Sequence, residues 1–285
     1  MKLVSFKAGD AAGFGVVKGD AIVDLTGHFS ARGITGLRTL IAADALDEAR
    51  TVAESAAPSL KLADVTLLPV IPDPGKIICI GLNYRDHVAE TGRTVTENPA
   101  LFSRYPESQV GHLQPIVKPL ESDNFDYEGE LALVIGRGGR RIREEDALSA
   151  IAGYSCYNEG SIRDYQRHTS QFLAGKTFAN TGAFGPWLVT TDEIPDPSRL
   201  TLETRLNGQV VQHSTTDLLI TDIPGLIHYC STVLTLEPGD VIVTGTPGGV
   251  GAKRTPPLWM KPGDTVEVEI SGIGILRNPV IDEAA

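Results

Sequence analysis

The stretch NFDYEGELALVIG, residues 124–136, places acids at Asp126, Glu128 and Glu130, every second position, before the chain turns apolar. Alternate side chains of an extended strand point the same way, so the three carboxylates are expected to share one face. Like charges that close raise each other's pKa and oppose folding unless something positive lies among them. An E-x-E pair alone more often marks a solvated acidic edge. The sharper reading is a divalent cation. Two hard carboxylate oxygens on one face, with a third from elsewhere, suit Mg²⁺, Mn²⁺ or Ca²⁺ better than zinc.

A third acid is available in YNEGSIRDYQRH, residues 157–168. A helix starting at Glu159 would put Glu159, Arg163 and Gln166 at i, i+4 and i+7 on one face; a surface Glu–Arg pair is the competing reading. In GLNYRDHVAETG, residues 81–92, His87 and Glu90 are three apart. One helical turn ended by Gly92 would set carboxylate beside imidazole, as a general base requires, although an exposed turn accounts for the same spacing. Lys176 lies where polar chain meets the Gly-rich run LAGKTFANTGAFGPW, positioned to hold an oxyanion or to snorkel. VTGTPGGVGAKRT, residues 243–255, lacks the adjacent G-K-[ST] of a nucleotide loop. Its N–H groups and Thr246 could still cradle a small carboxylate.

The elements that must carry these residues fall into two parts. Residues 1–70 read as a small unit: MKLVSF, GFGVVKG and AIVDLTG are short strands, and residues 35–56 have helical spacing. LLPVIPDPGK, with three prolines and a glycine, is the expected linker. Residues 71–285 are strand-rich. KIICIGLN, Leu131 to Ile135, FGPWLVTTDEI, DVIVTG and GDTVEVEISGIGILRNPV supply strands, and Asn207-Gly208 predicts a type I′ hairpin turn. One helix is expected in TDIPGLIHYCSTVLTL, capped by Asp222, with Ile223, Leu226, Ile227, Cys230, Val233 and Leu234 as its apolar stripe.

Whole-chain composition narrows the partners. Among 285 residues the net charge is −11 with no run of Lys or Arg, which argues against nucleic acid. No segment has the length and apolarity of a membrane span or signal core. Three cysteines without metal spacing suggest reduced thiols, and a cytoplasmic location is expected.

Singly these features are weak, but their succession is specific. IGLNYRDHVAETG, FDYEGELALVIG, GYSCYNEGSIRDYQ, GKTFANTGAFGPWLV, LNGQVVQ, GDVIVTGTPGGVG and MKPGDTVEVEISGIGILRNPV follow in the order that resembles the fumarylacetoacetate hydrolase family, over about residues 70–280. The resemblance implies an α+β, strand-rich fold: a mixed β-sandwich or roll catalytic domain with a small N-terminal α/β domain. It implies Mg²⁺ or Mn²⁺ (Ca²⁺ in crystals), a small-molecule 2-oxo acid substrate and a homodimer.

Carried over residue by residue, Glu128 and Glu130 match the strand ligands and Glu159 the third. The family more often has Asp there, in N-D-x-[ST]-A-R-D, so NEGSIRD makes the ligand one methylene longer. Asp126 matches an acid behind the ligands, and His87 and Glu90 match a lid dyad. Arg163, Gln166, Lys176 and Thr246 match positions that line the substrate or stabilise its charge, and Tyr84 joins the substrate contacts. The usual F-x-K reads Phe102-Ser103-Arg104; Arg104 keeps the charge on a planar fork, which hints at a second substrate carboxylate.

The implied activity is hydrolysis of a C–C bond in an acylpyruvate-type substrate, giving pyruvate and a carboxylic acid, in catabolism of aromatic or sugar-acid compounds. His87, held by Glu90, would activate water, and Lys176 and Gln166 would receive the oxyanion. Decarboxylation or isomerisation of a 2-oxo acid at the same metal is the alternative, and a non-catalytic carboxylate binder is the remote third.

Overall fold

The computed structural model describes residues 1–284. Its centre is the strand Gly129–Ile135, buried at every position. Side chains leave it alternately: Leu131, Leu133 and Ile135 enter one hydrophobic core, Ala132 and Val134 another. A strand apolar on both faces belongs inside a layered structure. It pairs with Ile151–Asn158 on one side and Val241–Val243 on the other. Around it runs a 12-stranded mixed sheet, in which Val241–Val243 lies parallel to Ile77–Gly81.

A second sheet of five strands packs across the first. Leu202, Val266, Val268 and Leu276 from the smaller sheet share a core with Leu131, Leu133 and Cys156 from the larger. The result is the strand-rich mixed sandwich of strands and helices that the resemblance implies. The hairpin Thr201–Leu206/Gln209–Thr215 turns at Asn207 and Gly208, both with positive φ, as a type I′ turn requires.

Helix Ile223–Val233 starts where expected, its Asp222 carboxylate accepting from Gly225 N at 2.9 Å. Its stripe departs from the prediction at Val233, which is exposed, while Leu234, at the helix C-cap, packs against the core. The helix expected over residues 35–56 is two, Leu37–Ala42 and Leu46–Ser55, broken at Asp44, which has φ +53°.

Residues 1–70 do not float free. Lys2–Ala8 pairs with Gly182–Thr190, so the first strands extend the large sheet. The Met1 ammonium donates to Thr190 Oγ1 at 2.6 Å. Cys79, Cys156 and Cys230 are free and buried. Among the described residues no helix is long and apolar enough to cross a membrane.

Candidate active site and metal centre

Antiparallel register assembles the acids. Glu130 faces Tyr157 and Gly129 faces Asn158, so Glu128 and Glu159 are the next pair, joined by Glu159 N donating to Glu128 O at 2.8 Å. Within strand Gly129–Ile135, Glu130 alternates onto the same side as Ala132 and Val134, and Glu128 immediately precedes the strand. The carboxylates of Glu128, Glu130 and Glu159 offer oxygens within 4.8 Å of one another, and all three residues are buried.

Two expectations need correction. Asp126 is not on the same uninterrupted strand: one strand ends at Asp126 and the next begins at Gly129. Its carboxylate instead accepts from Arg163 Nε at 2.8 Å and from the Gly251 and Ala252 N–H groups. Nor does a helix start at Glu159. The chain leaves strand Ile151–Asn158, forms the short strand Ser161–Ile162, and is helical only over Arg163–Gln166.

Two buried cations sit among the acids. Lys176 Nζ reaches Glu128 and, at 2.6 Å, Glu159; Arg163 pairs with Glu128 at 2.5 Å and with Asp126. Burial raises the Glu128 carboxyl, but Arg163, Lys176 and His87 more than offset this and hold it below the usual carboxylate range. Glu130 has no such partner. Burial, then Glu159 and Glu128, push its carboxyl well above that range, with only partial relief from Lys176 and the Gly245 N–H.

The residues fit a divalent ion. Four buried carboxylates face two buried side-chain cations, so the set is short of two positive charges once all four are ionised. Glu159 Oε1 is buried without a hydrogen-bond partner, which is costly in a dry interior unless something positive meets it. An all-oxygen donor set suits Mg²⁺ or Mn²⁺.

Above the acids lies helix Arg85–Thr91, ending at Gly92 as predicted. His87 Nδ1 meets Glu90 Oε1 at 2.7 Å, and Glu90 Oε2 accepts from Gly249 N at 2.9 Å. The Gly-rich loop therefore does not offer these N–H groups to a substrate anion. Gly245 N serves Glu130, Gly249 N serves Glu90, and Gly251 and Ala252 serve Asp126.

A cavity of about 790 Å³ joins the parts; Glu128, Glu130, Glu159, His87, Arg163 and Lys176 all line it. Gln166 lines it too, its carbonyl taken by Arg163 Nη1 at 2.9 Å, which leaves the amide nitrogen as donor. Thr246 lines it, but its hydroxyl donates to Gly129 O and so cannot donate to an anion.

Arg104 and Tyr84 do not line the cavity. The Arg104 guanidinium is spent on Gly160 O at 2.8 Å, Thr181 Oγ1 at 2.9 Å and Ser108, bracing the turn that carries Glu159. Tyr84 is a core residue, 1% exposed. The cations on the outer wall are Arg93, Arg167 and Lys253, which residue-type patterns did not single out. Arg93 lies over the Phe172 ring at 5.4 Å. Leu82, also lining, has φ +60°, a rare conformation for a leucine and a device that turns the chain from strand Ile77–Gly81 toward helix Arg85–Thr91.

A buried acidic triad fit for a divalent ion thus lies in a strand-rich sandwich beneath a histidine-bearing helix. Residues 76–281 match the family described as Fumarylacetoacetate (FAA) hydrolase C-terminal, and residues 1–69 match Rv2993c-like, N-terminal. The chain belongs to the fumarylacetoacetate hydrolase family, and it is an enzyme.

It is 40% identical over 288 residues to oxaloacetate tautomerase fahd2, mitochondrial, of Xenopus laevis, covering 99% of this chain and 90% of the relative. The human oxaloacetate tautomerase FAHD2A, mitochondrial, is 38% identical over 288 residues, covering 99% and 92%. Among solved structures, maleylpyruvate hydrolase from Sphingobium sp. SYK-6, in complex with manganese(II) ion and pyruvate, has a TM-score of 0.84 at 30% identity with both chains fully covered (100%). The 5-carboxymethyl-2-hydroxymuconate delta-isomerase of Mycobacterium smegmatis has 0.79 at 34%, again over 100% of each chain.

Proposed function

We propose that this enzyme moves a proton on an enolisable dicarboxylic 2-oxo acid of the oxaloacetate type, interconverting its keto and enol forms. The observation that carries the reading is one cavity that holds a metal-type glutamate triad, a carboxylate-held histidine and outer cations. Full-length similarity to oxaloacetate tautomerases supports it. We assign residues 1–70 to a small N-terminal unit and 71–285 to the catalytic one; the two family matches support that division.

Glu128, Glu130 and Glu159 would hold the divalent ion, Mg²⁺ or Mn²⁺. Such an ion supplies Lewis-acid polarisation of the 2-oxo carboxylate, which makes the adjacent C–H more acidic. His87 does the proton transfer. Glu90 accepts from Nδ1–H, which leaves Nε2 as the basic ring nitrogen. Nε2 removes a proton from C3, the C–H electron pair becomes the C2–C3 double bond as the C2=O π pair moves onto the keto oxygen, and the same proton is returned to that oxygen. Lys176 and the Gln166 amide stabilise negative charge on that oxygen during the transfer. Arg93, Arg167 and Lys253 line the outer wall, and among the described residues none is in an ion pair, so they are free to meet the second carboxylate.

A second reading has its own support. The same dyad can activate water for C–C hydrolysis, and the manganese-bound structural relative is a maleylpyruvate hydrolase. The test is to give EDTA-stripped, Mn²⁺-reloaded protein enol-oxaloacetate and, separately, maleylpyruvate in ¹⁸O water. Accelerated decay of enol absorbance, with His87→Ala slower by about 10²–10⁴-fold, supports the tautomerase. ¹⁸O-labelled product from maleylpyruvate, with no effect on the enol, supports the hydrolase instead.

A further inference from the structure

We propose that Arg254 and Tyr127 form a clamp that grips Gly249 and thereby holds the His87–Glu90 dyad in its working position. The inference rests on the reading that His87 transfers the proton, and it adds two positioning residues that never touch substrate. Gly249 N donates to Glu90 Oε2 at 2.9 Å, so the position of this residue fixes Glu90 and, through the 2.7 Å contact, His87. The Gly249 carbonyl is held in turn by Tyr127 OH at 3.1 Å and Arg254 Nε at 3.2 Å. Arg254 Nε also donates to Tyr127 OH at 3.0 Å, and Arg254 Nη2 reaches Val211 O at 2.5 Å.

Arg254 thus ties three pieces of chain together without a carboxylate partner among the described residues: its own loop, the hairpin strand Gln209–Thr215 and the metal-bearing segment. Tyr127 immediately precedes Glu128, so the lid's acid and the first ligand hang from one anchor. Gly249 leaves no room for an alternative. Its φ is +102°, and a Cβ there would meet Val211 O at 2.3 Å. A lid held only by helix packing would not need this closed set of bonds around one glycine.

The test compares wild type, Arg254→Met and Tyr127→Phe, each reloaded with Mn²⁺. Three quantities are read: amide exchange at Gly249 and over residues 85–92, Mn²⁺ affinity, and kcat and KM for enol-oxaloacetate. The clamp predicts faster exchange in both regions and a kcat lower by about 10- to 100-fold, with KM and Mn²⁺ affinity within about twofold of wild type. Should Arg254→Met not fold, Tyr127→Phe, which removes one hydroxyl, carries the comparison. Wild-type exchange rates in the variants overturn the proposal, as does faster exchange with unchanged kcat, or Mn²⁺ affinity falling in step with kcat. If wild type has no effect on the enol, the functional reading fails, and the exchange comparison alone decides the clamp.

Discussion

Glu130 is where metal binding and pH meet. Burial and the neighbouring Glu159 and Glu128 raise its carboxyl above the value it has in the unfolded chain. A carboxyl so raised contributes stability that is fully present below the unfolded value of about 4.3 and is lost as pH rises through the folded value. Glu128 is shifted the other way, so its contribution is lost only in stronger acid. As pH rises above the unfolded value the metal-free protein should therefore lose Glu130's contribution, and a divalent ion, which needs the ionised carboxylate, should restore it. The rise in melting temperature on adding Mn²⁺ is expected to be larger at about pH 8 than at about pH 5, and Glu130→Gln should abolish both the rise and its pH dependence. An equal rise at the two pH values would contradict this assignment. Lys176→Met should cost about 10²–10³-fold in kcat, read at saturating Mn²⁺, because it removes a donor from the oxygen that gains charge.

How much of the site was legible also differs residue by residue. Glu128 and Glu130 follow from strand alternation, and His87–Glu90 from helical spacing. Glu159 was found as an available acid, but for the wrong local reason: it arrives through sheet register, which a window of sequence does not contain. Arg104 was misassigned because charge and pattern do not reveal that its donors are consumed by Gly160, Thr181 and Ser108. Arg93, Arg167 and Lys253 come from three separate segments, and only the fold brings them to one wall.

At the scale of elements, local chemistry was read most reliably where a cap or turn fixes the geometry. The Asp222 cap and the Asn207-Gly208 turn depend on neighbours a few residues away, and both form. The break at Asp44 was missed because residues 35–56 keep helical apolar spacing across it, so periodicity alone does not mark the interruption. Asp222→Ala should cost about 1 kcal/mol of unfolding free energy, measured by denaturant titration, and leave Mn²⁺ affinity unchanged. Gly249→Ala should be far more damaging at its own size, since a β-carbon there collides with the Val211 carbonyl. Loss of turnover with retained cooperative unfolding is the expected result, and near-normal kcat would show that the loop has slack enough to absorb the β-carbon.

For the molecule as a whole, the first strands and the catalytic sheet form one continuous surface. Lys2–Ala8 covers the edge of Gly182–Thr190, and Phe14, Leu25 and Phe29 share a core with Phe184 and Leu188. Removing residues 1–70 should uncover that edge and its apolar face, giving aggregation on expression rather than a smaller active enzyme. A monodisperse, active fragment of residues 71–285 would mean the shared sheet matters little. The proposed two-part division rests on local patterns and the proline-rich stretch at residues 67–76, whereas the pairing that joins the parts is a long-range contact that no local window encodes.

In the proposed mechanism three buried glutamates, short of positive charge, gather a divalent ion that grips an α-keto acid. Anomalous diffraction from a crystal grown with Mn²⁺ and oxalate tests it most directly. The expected result is a single strong manganese peak about 2.0–2.3 Å from one oxygen each of Glu128, Glu130 and Glu159, with oxalate on its open side. A peak elsewhere, or no peak while those carboxylates stay bonded only to Lys176 and Arg163, would contradict it.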